Sequence, residues 1–87
     1  MVIEKKTGVI SSMAGGSAET SAFSVTKNGY TPIGIISIEK TGAGNGYAII
    51  TAYAITDATS AFVSFYNISE MTLSNIGVSV TVLYVKN

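Results

Sequence analysis

Apolar and polar side chains alternate one by one along much of the chain, and this period of two predicts β-strands. The clearest run covers residues 77–85, where two distinct rows of side chains alternate. One row is Val78, Val80, Val82 and Tyr84, and the other is Ser79, Thr81, Leu83 and Val85. Because β-branched and aromatic residues dominate and nothing recurs at helical spacing, the run predicts a strand with two usable faces.

Four earlier stretches have the same character and predict strands over residues 20–25, 33–40, 47–55 and 60–67. Between them, residues 41–46 predict a glycine-rich hairpin loop, and residues 56–59 predict a turn. Residues 68–75 predict an irregular connection with one helical turn near Glu70. The N-terminal part allows short strands over residues 2–6 and 7–13, broken at Gly8, or a less regular arm over residues 1–19.

No segment shows the period of an amphipathic helix, so the pattern predicts an all-β fold in one domain, residues 1–87. Short loops favour hairpins between consecutive strands, and the apolar rows of two sheets must cover each other. The sequence therefore predicts a small antiparallel β-sandwich of jelly-roll-like type.

The composition indicates that the folded chain gains stability by associating with other chains. Hydrophobic residues make up 47% of the 87 residues and charged residues only 11%, and the chain has no cysteine for a disulfide. Several strands are also apolar on both rows, which leaves apolar side chains on outward faces. We therefore predict a homo-oligomer. The predicted interface residues lie within strands and are Tyr53, Phe62, Tyr66, Leu83 and Val85.

The charge, the length of the apolar runs and the missing residue types argue against several classes of function. A net charge of zero without arginine gives no basic patch for nucleic acid. No apolar run approaches the roughly 20 residues that span a bilayer, and the N-terminal residues lack the order of a signal peptide. Without His, Cys or Arg, the sequence predicts no enzyme, no metal site and no cofactor. A glycosidase-like carboxylate pair would have to be assembled from separate turns.

The tyrosines are the best candidates for recognition. A tyrosine in a sheet usually half-buries its ring and keeps its hydroxyl in water, and the alternative is a subunit interface or stacking on a sugar. Tyr30 and Tyr47 adjoin loops, where binding residues concentrate. With Asn45 and Asp57 from the two loops between strands, they form the predicted ligand-binding set.

Three segments carry a family resemblance. Residues 29–35 (Gly-Tyr-Thr-Pro-Ile-Gly-Ile), 61–67 (Ala-Phe-Val-Ser-Phe-Tyr-Asn) and 80–87 (Val-Thr-Val-Leu-Tyr-Val-Lys-Asn) resemble the small C-terminal β-domains of bacteriophage tail-fibre and related virion proteins. The resemblance covers roughly residues 20–87. It implies a structural or receptor-binding module, commonly trimeric and without enzymatic activity, that is made in the host cytoplasm and resides in the virion.

This resemblance leads to the expectation of a non-enzymatic virion module that binds copies of itself, as a trimer, and a glycan or protein of the host surface. Two alternatives remain open from the sequence. One is a stand-alone carbohydrate-binding module that uses Tyr30 and Tyr47, and the other is a protein that decorates a capsid or virion.

Overall fold

Six strands make up 70% of the chain in the computed structural model, which describes residues Met1–Asn87. A single turn of 3₁₀ helix, Asn45–Tyr47, precedes the fourth strand. The strands are β1 (Val2–Met13), β2 (Ala18–Ser24), β3 (Tyr30–Thr41), β4 (Ala48–Ile55), β5 (Ser60–Asn67) and β6 (Leu73–Lys86).

The strands form two antiparallel three-stranded sheets that face each other. Sheet A has the order β1-β6-β3, and sheet B has the order β2-β5-β4. The first strand pairs with the last and the second with the fifth, so the chain is wrapped as in a jelly roll but with six strands. The prediction of a small antiparallel β-sandwich is confirmed.

The core lies between the two central strands, β5 and β6. The row Val78, Val80, Val82 and Tyr84 of β6 is buried, and its alternate row faces outward, as the sequence pattern predicts. On β5 the inward row is Ala61, Val63 and Phe65. The remaining buried apolar residues of the same cluster are Ile10, Met13, Val25, Ala48, Leu73 and Ile76.

Tyr84 joins this core to a loop of the opposite sheet. Its side chain is fully buried, and its hydroxyl donates a hydrogen bond of 2.7 Å to the carbonyl oxygen of Val25. Burial raises the pKa of the Tyr84 hydroxyl, and the negative charge of Glu4 adds to the effect. The hydroxyl therefore stays protonated and keeps donating.

The prediction of a less regular arm over residues 1–19 is wrong for most of that segment. β1 is one continuous strand of 12 residues that pairs with β6 from Val2 to Met13. Gly8 does not break it. A Cβ at Gly8 would lie 2.5 Å from Ser21 Oγ of β2, so the glycine lets the edges of the two sheets approach closely.

The predicted hairpin over residues 41–46 is also wrong, because β3 and β4 belong to different sheets. This loop crosses from one sheet to the other, and only β4 and β5 are consecutive strands that pair with each other. Gly42 and Gly44 have φ values of 105° and 78°, which favour glycine. Lys40 Nζ stabilises this loop by donating hydrogen bonds to the carbonyl oxygens of Asn45 (3.0 Å) and Ala48 (2.8 Å).

Bulges shift the rows of the two edge strands β3 and β4. The register of β3 skips Ile33 and Ile36, whose side chains are 51% and 55% exposed, while Ile35 and Ile38 pack against the core. On β4 a shift at Thr51 interrupts the period of two, so that the small side chains of Ala52 and Ala54 point outward with Ile49.

The buried hydroxyl of Tyr84 gives a test of the core. Tyr84→Phe removes its hydrogen bond and leaves the Val25 carbonyl unpaired, so we expect a loss of about 1–2 kcal/mol in the free energy of unfolding, measured with urea. Tyr53→Phe is the matched control, since Tyr53 is exposed and its hydroxyl makes no hydrogen bond within the protein. Equal losses for the two variants would contradict the role assigned to Tyr84.

Candidate functional site

The four predicted ligand-binding residues lie at opposite ends of an elongated molecule, whose extents are 46 × 19 × 17 Å. Tyr30 begins β3, and Asp57 follows β4 at the same end. Asn45 and Tyr47 lie beyond the other end of β3. Twelve residues of strand span about 36 Å, so the structure does not bring the two pairs into one site.

Tyr30 belongs to a charged cluster at the first end. Lys27 Nζ lies 5.1 Å from the centre of the Tyr30 ring and 3.7 Å from Glu4 Oε2, and Lys6 Nζ lies 3.4 Å from the same oxygen. The ring also packs against the core. These contacts give Tyr30 a structural role in closing this end of the sandwich.

Asp57 shapes the turn between β4 and β5. Its Oδ1 accepts hydrogen bonds of 2.7 Å from both the backbone N–H and the hydroxyl of Thr59. The Thr59 hydroxyl, followed by its N–H, lowers the pKa of the Asp57 carboxyl below the ordinary value of 3.8. The carboxylate is therefore held ionised by its own turn.

At the second end of the molecule, the side chains of Asn45 and Tyr47 differ in how available they are to a ligand. Asn45 uses its side-chain N–H to donate a hydrogen bond of 2.8 Å to the Gly42 carbonyl. The ring of Tyr47 is 46% exposed. Tyr47 is thus the member of the predicted set whose side chain is most available to a ligand at this end.

The structure divides the predicted interface residues among three surfaces. Phe62 and Tyr66 lie on the outer face of sheet B, and Leu83 and Val85 lie on the outer face of sheet A. Tyr53 lines an open groove of about 200 Å³ between the edges of the two sheets. The other residues of the groove are Ile33, Gly34, Ile35, Ala54 and Ile55.

The sequence pattern did not single out an apolar end on sheet B. Ile49 pairs directly with Tyr66, and the backbone N–H of Ile68 donates to the Tyr47 carbonyl, so the backbones of these four residues meet at the same end of sheet B. All four are more than 40% exposed. The period of two does not predict this end, because it does not tell which strands pair and because Ile68 lies beyond β5.

Asn67 is a second residue that the pattern did not single out. It is fully buried, its amide N–H groups donate to the carbonyls of Met13 and Met71, and its Oδ1 accepts from the N–H and hydroxyl of Ser69. This turn replaces the helical turn predicted near Glu70. The buried side chain of Asn67 therefore shapes the turn between β5 and β6.

No group of three or more acidic side chains lies where it could hold a metal ion, and no helical segment of the structure could span a lipid bilayer. Comparison with known proteins finds no match among protein-family models, curated proteins or solved structures.

The Asp57 turn predicts a dependence of stability on pH. Because the folded pKa lies below 3.8, ionised Asp57 contributes stability above that pH, and the contribution is lost as the pH falls through the folded value. Asp57→Asn keeps the acceptor but cannot ionise. We expect the difference in unfolding free energy between the two proteins to be constant above pH 3.8 and to shrink below it. A carboxyl pKa at or above 3.8 by NMR titration would contradict this account.

Proposed function

We propose that this chain is a non-enzymatic structural module of a bacteriophage virion, of the tail-fibre or receptor-binding-tip type, that works as a homo-oligomer. The observation that carries the proposal is the number of large apolar side chains left on outward surfaces. Eleven of them are exposed in a chain of 87 residues. They are Met1, Ile3, Val9, Ile33, Ile36, Tyr47, Ile49, Tyr53, Tyr66, Ile68 and Met71.

These side chains are grouped on the outer faces and open edges of both sheets. Contiguous apolar patches on soluble monomers are rare, and larger ones mark interaction surfaces. With only 11% charged residues, the chain has little polar surface to offset them. The grouping supports association with other copies, and the resemblance to tail-fibre domains supports a trimer and a place in the virion.

The acidic side chains also favour a structural role over catalysis. Glu4 is paired with Lys6 and Lys27, and Asp57 is held by its turn. Glu39 lies 3.5 Å from Lys5 across the outer face of sheet A. Carboxylates that are engaged in separate contacts of this kind do not form the facing pair that glycoside hydrolysis requires.

A host-surface ligand fits best at the second end of the molecule. There the exposed side chain of Tyr47 lies at the end of the glycine-rich crossing loop. Exposed aromatic rings can stack on sugars. The exposed Tyr47 ring beside this loop also favours the second candidate function, a stand-alone carbohydrate-binding module.

Oligomerisation is tested by multi-angle light scattering on the purified chain, from low micromolar to near-millimolar concentration. We expect a mass of several chains, with three favoured, because burial of the exposed apolar side chains drives association. A single-chain mass over the whole range would contradict the proposal.

Ligand binding is tested on a glycan array with the wild-type chain and the Tyr47→Ala variant. We expect a bound glycan whose signal falls at least about tenfold in Tyr47→Ala, since loss of a stacking ring costs on the order of 1.4 kcal/mol. Tyr53→Ala, an exposed tyrosine away from the glycine-rich loop, is the control. Binding that survives in Tyr47→Ala but is lost in Tyr53→Ala would place the ligand elsewhere.

A further inference from the structure

The outer face of sheet B differs from the outer face of sheet A because it has no charged side chain. Its central strand β5 contributes Phe62, Ser64 and Tyr66. Small residues flank them on both neighbouring strands, except for one isoleucine beside Tyr66. The flanking residues are Ala18, Thr20 and Ala22 on β2, and Ile49, Ala52 and Ala54 on β4. We call these nine residues the sheet-B face.

The sheet-B face carries no charge, although the chain has ten charged side chains. Glu19, the charged residue of sheet B, pairs with Phe65 and therefore belongs to the inward row of β2. Three others lie in loops. The remaining six are on the strands of sheet A and are Glu4, Lys5, Lys6, Glu39, Lys40 and Lys86. The outer face of sheet A is crossed by the Lys5–Glu39 ion pair, so the two faces are not equivalent.

The two hydroxyls in the middle of the sheet-B face are paired with each other. The hydroxyls of Thr20 and Ser64 lie 2.8 Å apart and share a hydrogen bond. Once they are paired, these hydroxyls lose less on leaving water than free ones would. The middle of the face can therefore be covered by an apolar surface without leaving a buried group unsatisfied.

The shape of the sheet-B face allows it to pack against an identical face. The rings of Phe62 and Tyr66 stand on one strand about 13 Å apart, with the low Ser64 row between them. The small side chains of Ala22 and Ala54 leave shallow depressions on both sides of Phe62. Rings of one face can lie over the small residues of another, as in the interdigitation of packed sheets.

We propose that the sheet-B face packs against the same face of other copies of this chain, so that these faces meet at the axis of the homo-oligomer. The inference rests on the proposed homo-oligomer and names its contact surface. Charge selects the occupant, because burying a charged partner surface against an uncharged apolar face is unfavourable. Another copy presents a matching uncharged face, and with zero net charge the copies do not repel each other.

The size of the face sets the strength of the contact. One strand of seven residues and two of eight cover about 400 Å² in projection, which is about half of the 800 Å² per partner in a standard interface. The projecting side chains at the Tyr47 and Ile68 end extend it. The association is thus of moderate strength and depends on concentration, within the range of sedimentation equilibrium.

Two single charges placed on opposite edges of the face test the proposal. Thr20→Lys and Ala52→Lys flank Ser64 from β2 and β4, and Ala52 makes no side-chain hydrogen bond that the change could remove. The matched control is Thr7→Lys. Thr7 is likewise an exposed threonine of an edge strand opposite a serine of a central strand, but it lies on the outer face of sheet A.

We expect each sheet-B variant to weaken association at least about tenfold, since a buried unpaired charge costs more than the 1.4 kcal/mol that a factor of ten requires. Thr7→Lys should associate as the wild type does. Circular dichroism and urea unfolding show whether each variant is folded. Thr20→Ser and Ala52→Ser, which add no charge, should remain oligomeric.

Each other result overturns the inference in a distinguishable way. If the wild type is oligomeric and both sheet-B variants associate equally well, the homo-oligomer stands and its contact lies elsewhere. If folded Thr7→Lys dissociates and the sheet-B variants do not, the contact is on sheet A. A monomeric wild type would leave the face to a different protein and would overturn both the inference and the proposed function.

Discussion

The contact between the central strands of the two sheets is the interaction on which the other four strands depend. The buried rows of β5 and β6 belong to one apolar cluster, with Phe65 and Tyr84 as its largest members. Each edge strand pairs with one of these two strands and with no other. Because the chain has no disulfide, loss of this contact would release both sheets together.

Two three-stranded sheets can bury only one face each, and this limit connects the fold to the proposed function. The side chains of the inward rows form the single core. Every apolar side chain of an outward row must therefore face water or another molecule. On sheet A, the ion pair of Lys5 and Glu39 lies on an outward face that also exposes Ile3 and Val9. On sheet B the outward row carries the Thr20 and Ser64 hydroxyls but no charge, and the proposed contact between copies would cover it.

The central strands could be predicted from the sequence because their rows alternate without interruption, as in residues 60–67 and 77–85. The edge strands β3 and β4 could also be predicted as strands, but their faces could not be, because bulges at Ile33, Ile36 and Thr51 shift the rows and leave no mark in composition. The glycines of residues 41–46 indicate a change of direction, but they do not tell whether the next strand joins the same sheet. For the candidate site, the pattern found Tyr47, Phe62 and Tyr66 and missed Ile49 and Ile68. It also grouped Tyr30 with Tyr47, which β3 holds apart.

The most direct measurement of the central claim is an isotope-filtered NOE experiment on oligomers mixed from labelled and unlabelled chains, which detects contacts between copies only. The account predicts intermolecular NOEs from the rings of Phe62 and Tyr66 to alanine methyl groups of the sheet-B face, such as that of Ala54. Intermolecular NOEs confined to Leu83 and Val85 on sheet A, or none at all, would contradict it.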